Sequence, residues 1–235
     1  MFGNPVLNAS TFERPAAARR TMTERGTVRK ASLLVFLTTI SAINALALMG
    51  LGLLPVLPVT LGAASGALFL VLATARRRHW AAVTGMFYAI LEGVALGGAT
   101  FAAEQASPGV ALPTLVVTLL VVFGMLFLWE TGRVPVTPGF KTVVLASVMG
   151  IVGTYLFSAF LWVVGLPVVW LHMNPWLNVI APVIASACLL VDFEHIREGV
   201  EQKAPAYMEW YAALGITVTI CWLYVEILGA MGDSG

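Results

Sequence analysis

Residues 187–231 read ACLLVDFEHIREGVEQKAPAYMEWYAALGITVTICWLYVEILGAM, with Ala187 the first letter and Met231 the last. The end of one apolar run, a short charged connection and the whole of a second apolar run follow one another. Three carboxylates stand where such runs carry few: Asp192 near the end of the first, and Glu209 and Glu226 at either end of the second. An ionisable side chain at the centre of a membrane helix costs at least ~2.5–3.5 kcal/mol, so by default it marks a functional site. The stretch reads as a membrane hairpin, and the rest of the chain is placed by what packs against it.

Composition sets the same class. Of the 235 residues, 59% are hydrophobic and 11% charged, less than half the roughly 25% of a soluble domain. With a mean hydropathy of +0.90, the chain is expected to be a polytopic membrane protein with almost no soluble part. Cys188 and Cys221 fall inside apolar runs and read as small packing residues, neither a disulfide nor a metal pair. Residues 1–26 lack the apolar core of a cleavable signal.

Residues 1–29, polar and rich in Ala and Arg, are expected to form a disordered cytoplasmic tail. The membrane domain then spans 30–231 in seven apolar segments, about 31–54, 59–75, 80–101, 112–129, 140–164, 176–196 and 207–231. Each is long enough for an α-helix to cross ~30 Å of hydrocarbon. Prolines mark the gaps, and only Pro182 lies well inside a span, where it predicts a kink.

All 13 Lys and Arg sort to the tail and to the 2–3, 4–5 and 6–7 connections. With seven spans those four regions share one side, which predicts a cytoplasmic N-terminus and an extracytoplasmic C-terminus. Trp80, Trp129 and Trp210 fall at inner ends, Trp162 and Trp176 at outer ends, as interfacial anchors do. The basic residues read as topology determinants facing the lipid bilayer, not as a nucleic-acid surface.

Glu92 stands about 12 residues into segment three, ~18 Å deep, with Gly85, Ala89, Ala95 and Ala99 on its face. Small residues let helices approach closely, so Glu92 is expected to face the bundle, beside the Gly93–Gly97 pair. Asp192 lies on a stripe with Asn178, Ala185 and Cys188; counted from the outer end of its segment, it falls a turn or so from the cytoplasmic boundary. His195, one turn on, is within side-chain reach and is its expected partner. Glu226 shares a face with Gly215, Thr219 and Gly229 near the outer surface. The result is an expected ladder: Asp192 low, Glu92 and Thr219 near the middle, Glu226 high. Oxygen ligands so spaced suit Ca²⁺, with Asp192 and Glu92 as candidate metal ligands, or a proton relay. The alternative is that Asp192 caps or snorkels at the interface and Glu92 serves packing alone, hydrogen-bonded to backbone or threonine.

Seven spans with the N-terminus inside, the LEG context of Glu92, the DFxxI run from Asp192 to Ile196 and the YxEWYAALG…WLYVEIL pattern closing the chain resemble the Bax inhibitor family. Asn4-Pro5 is similar to the start of its bacterial branch, which implies a bacterial plasma membrane. The resemblance implies a pH-sensitive Ca²⁺ leak through a seven-helix bundle with segment seven in the middle. It further implies a proton-sensing latch of two aspartates, one from segment six and one from segment seven. Asp192 matches the first. At the second the chain departs, placing Thr219 opposite Asp192 and Glu226 two turns later. His195 or Glu209 is then the expected replacement partner of Asp192.

A cation-conducting protein (Ca²⁺ leak or Ca²⁺/H⁺) is the expected function, with no cofactor required. The alternative is a non-transporting regulatory protein that binds other membrane proteins. Enzymatic function is not expected: HExxH and Gly-x-Ser-x-Gly are absent, and no Ser–His pair is placed inside the bundle. A retinal Schiff base would need an intramembrane lysine, whereas Lys30, Lys141 and Lys203 sit at membrane edges.

Overall fold

A computed structural model describes residues 20–166 and 175–232. Among them are seven long helices: α1 (Glu24–Gly50), α2 (Val56–Arg76), α3 (Ala81–Ala106), α4 (Ala111–Glu130), α5 (Pro138–Val163), α6 (Pro175–Glu201) and α7 (Met208–Gly232). All seven are long and apolar enough to cross a membrane. The architecture is all-helical, as the segment lengths predicted.

Among the helix ends that differ from the sequence expectation, two bear on the site, both at the end rich in basic residues. α1 begins at Glu24, inside the tail expected to be disordered, because Thr23 caps it: its Oγ1 accepts the Gly26 N–H at 3.0 Å. Residues 20–23 are ordered as well. They pair with the α6–α7 connection through Met22 N–H to Ala204 O (2.7 Å) and Ala206 N–H to Arg20 O (2.9 Å). The remainder of the expected tail, residues 1–19, lies outside the described residues.

α6 in turn runs on past Ile196 to Glu201. Hydropathy falls at Asp192, but the backbone does not need apolar side chains to stay helical. Glu194 and Arg197 pair one turn apart at 3.3 Å, supporting the extra turns. The helix ends where Lys203 takes a left-handed φ of 53°, with Ala204 N–H bonded back to Gly199 O at 2.9 Å. At the other end α6 passes through Pro182, which removes one backbone donor to the carbonyl of Asn178.

α7 is the central element, touching α1, α3, α4 and α6. Its buried residues, among them Ala213, Leu214, Thr217, Cys221, Leu223 and Leu228, cover a broad arc of the helix and not one narrow stripe, leaving Gly215, Val225 and Gly229 on the exposed remainder. α2 packs chiefly on α3 and α5 on α6. In α5 the buried positions Val144, Ile151 and Ser158 recur every seven residues, a single seam facing α6. The side chains of Trp162 and Trp176, the expected outer anchors, lie outside those described.

The small-residue face of α3 is where α1 comes closest. A side chain on Gly93 would strike the Thr38 carbonyl and Ser41, and one on Gly97 would lie 2.5 Å from the Ala42 carbonyl oxygen. Ser41 seals the contact by donating to Ile90 O at 2.7 Å. Backbones this near gain dispersion contacts that larger residues would exclude.

Candidate functional site

A polar contact joins the two helices of the hairpin. Thr219 Oγ1 of α7 donates to Asp192 Oδ2 of α6 at 2.6 Å. Asp192 is therefore level with Thr219, not a rung below it. Because α6 continues to Glu201, Asp192 is nine residues from that helix end, ~14 Å inside, and Thr219 is eleven residues from the start of α7, ~17 Å. Thr219 also reaches back to Gly215 O at 3.3 Å, so its hydroxyl is shared between its own helix and the acid. Cys188, one turn before Asp192, adds a thiol beside the carboxyl.

Neither expected replacement partner reaches Asp192. His195 is exposed, and the charge it faces is Glu198. Three residues along a helix turn a side chain by 60°, enough to carry His195 out of the hairpin while Asp192 faces in. Glu209 is buried at the start of α7 with partners of its own. It forms an ion pair with Lys30 of α1 and accepts both the backbone N–H and the hydroxyl of Thr23 at 2.9 Å.

Glu92 is half-buried on α3, and buried Gly85, Ala89 and Ala95 share its helix face as predicted. It lies near the Tyr88 hydroxyl and the Cys221 thiol of α7. Among the described residues its carboxyl makes no hydrogen bond and no ion pair. Further along α7, Glu226 accepts from the Trp222 indole N–H at 2.6 Å and from the Tyr155 hydroxyl of α5 at 2.8 and 2.9 Å. Trp222 stands four residues before Glu226, a spacing legible in the sequence. Tyr155 is 71 residues away, and no sequence signal tied it to Glu226.

Ion pairs gather at the opposite end of the bundle from Glu226. Lys30 meets Glu209, Lys141 meets Glu198 at 2.6 Å, and Arg197 meets Glu194. Arg197 also stacks over Trp129, whose indole N–H donates to Glu194 at 3.0 Å, and Arg78 covers Tyr211. These contacts bring basic residues from four separate regions of the chain to one end, as the sorting by connection required. Asp192, Glu92 and Glu226 have no lysine or arginine partner among the described residues.

Ca²⁺ held firmly takes six to eight oxygens. Among the described residues no three His, Cys, Asp or Glu side chains gather closely enough to hold a metal. Asp192 and Glu92 therefore belong to no such group among the described residues.

Seven membrane-length helices, with α7 packed among α1, α3, α4 and α6, acids without a cationic partner among the described residues and ion pairs at one end, define a multi-pass membrane protein. A family model described as Bax inhibitor 1 like matches residues 4–231, and the chain belongs to that family. Comparisons with curated proteins and with solved structures found no match.

Proposed function

We propose that this protein conducts cations, as a Ca²⁺ leak or a Ca²⁺/H⁺ pathway, and that its conduction is modulated by pH through Asp192. One observation carries the reading. Every ion pair among the described residues lies at the basic end, while the three acids within the bundle have no cationic partner. An intramembrane carboxyl with no fixed positive charge beside it, whether or not hydroxyl or indole donors hold it, remains free to receive a mobile one. Glu226, Glu92 and the Asp192–Thr219 pair offer such oxygens at successive places around α7. Asp192, where α6 and α7 touch, is the group whose protonation bears on the hairpin.

The test is flux of Ca²⁺ into reconstituted vesicles under an imposed pH gradient. Glu92→Gln keeps hydrogen-bonding capacity and size but removes the charge. It should lower flux about ten-fold, since losing an ionic contact along a path is worth ~1.4 kcal/mol or more. Asp192→Asn should flatten the response to pH between about 8 and about 6. No flux above empty vesicles at any pH would reject the proposal.

We also propose that the basic end faces the cytoplasm, in a bacterial plasma membrane, because basic connections are retained on that side. A reporter fused before Met1 should then read cytoplasmic and one fused after Gly235 extracytoplasmic. Both on one side of the membrane would be incompatible with seven spans.

A further inference from the structure

At the basic end, α1 and the start of α7 enclose a groove of about 670 Å³ lined by Arg29, Lys30, Ser32, Leu33, Phe36 and Trp210. Its polar side chains can all donate, and none of them is acidic. Arg29 is exposed and has no acidic partner among the described residues. Lys30 gives one contact to Glu209 and sits 5.5 Å from the Trp210 ring centroid, its side chain still 22% exposed. The Ser32 hydroxyl and the Trp210 indole N–H make no hydrogen bond among the described residues. The Glu209 carboxylate, which packs against Gly26 of the same groove, is buried and already engaged by Lys30 and Thr23.

Residues 29, 32, 33 and 36 recur at helical spacing, so they form one stripe down α1. Arg29 is at its head, and Phe36, seven residues on, lies ~10 Å further into the bilayer. Below the donors the wall turns apolar and open: Leu33 is 42% exposed and Phe36 59%. A positively charged mouth lined by no acidic side chain and continuous with an exposed hydrocarbon wall matches a molecule with an anionic head and an apolar tail.

We propose that this groove binds one anionic phospholipid, its phosphate held by Arg29, Lys30 and the Ser32 and Trp210 donors, and an acyl chain lying over Leu33 and Phe36. Charge complementarity selects the head, since a neutral zwitterionic lipid would bring a choline cation against two cations. The apolar wall selects a lipid over a free anion. Lys30 links the site to the interior, because the ammonium that meets the phosphate is the one that neutralises Glu209.

The proposal is tested on the full-length protein in phosphatidylcholine bilayers containing graded phosphatidylglycerol, with retained lipid counted by mass spectrometry after release. One phosphatidylglycerol should be retained per chain. Arg29→Gln should weaken its binding about five-fold, the weight of one basic residue at a membrane surface. Arg76→Gln, which removes an exposed arginine at the end of α2 at the same end of the bundle, should change it less than about two-fold. Phe36→Ser should also weaken retention, while leaving the charge untouched. Equal losses in Arg29→Gln and Arg76→Gln would mean diffuse charge attraction and overturn the site. So would phosphatidylcholine retained as well as phosphatidylglycerol, or displacement of the lipid by millimolar inorganic phosphate.

Discussion

Thr219→Asp should convert a shallow pH response into a steep one. Thr219 Oγ1 lies 2.6 Å from Asp192 Oδ2, so an aspartate at 219 places a second carboxyl against the first. Two such groups titrate as a pair and not as independent sites. Two unit charges 4 Å apart repel by ~4 kcal/mol at the effective dielectric of ~20 that suits protein sites. At 1.4 kcal/mol per factor of ten that repulsion is more than enough to drive the hairpin apart once both acids ionise. With Thr219 in place the corresponding contact is a hydroxyl donating to a carboxylate, whose loss costs only about 1.5–3 kcal/mol. Measured as Ca²⁺ flux in vesicles between about pH 8 and about pH 6, Thr219→Asp should change flux at least ten-fold more than the unmodified chain does. Thr219→Asn, similar in size and uncharged, should not. An identical pH profile in Thr219→Asp and the unmodified chain would show that the α6–α7 contact is not where protons are sensed.

Most of the architecture was legible because a bilayer allows little else. Seven apolar runs of spanning length, separated by prolines or, between the second and third, by Arg76 to His79, admit one helical reading, and the sorting of 13 basic residues to alternate connections fixed which ends lie together. Small residues beside Glu92 announced close packing, and α1 lies against Gly93 and Gly97. The pairing of Asp192 with Thr219 followed the resemblance and not depth counting. Depth counting placed Asp192 too near the surface because it equated the end of hydropathy with the end of the helix, whereas α6 continues for a turn and more past Ile196. Glu209 is expected as a partner of Asp192 for the same reason, since a shorter α6 would bring the mouth of the hairpin to it, whereas His195 follows from its one-turn spacing, which leaves a 60° rotation out of account. The donors that hold Glu209 come from residues 23 and 30, across 186 and 179 positions of chain, and those that hold Glu226 include Tyr155. Such contacts depend on which helices are neighbours, information that periodicity along one helix does not contain.

Glu209→Ala should release the N-terminal strap. Glu209 is 6% exposed and binds three donors, the Lys30 ammonium and the Thr23 N–H and hydroxyl. Thr23 in turn caps α1, so one carboxylate joins the first turn of α1 to the first turn of α7. Truncation leaves Thr23 without its acceptor and Lys30 without its counter-charge. Removing one partner of a buried pair costs ~3–5 kcal/mol, and Lys30, which can extend to the headgroups, places this case at the lower end, about 3 kcal/mol. Residues 20–23 depend most on the link, because their other attachments are backbone bonds to the α6–α7 connection. Amide exchange at Met22 and Ala206, whose N–H groups make those bonds, should therefore accelerate roughly hundred-fold, while amides in the middle of α7 change little. Glu209→Gln can still accept from Thr23 and should fall between the two. Gly26→Ala should act in the same direction without touching the acid, since a methyl at 26 would occupy the position of the Glu209 carboxylate. Unchanged exchange at Met22 and Ala206 in Glu209→Ala would show that the backbone pairing alone holds the strap and that the buried ion pair serves only to neutralise Lys30.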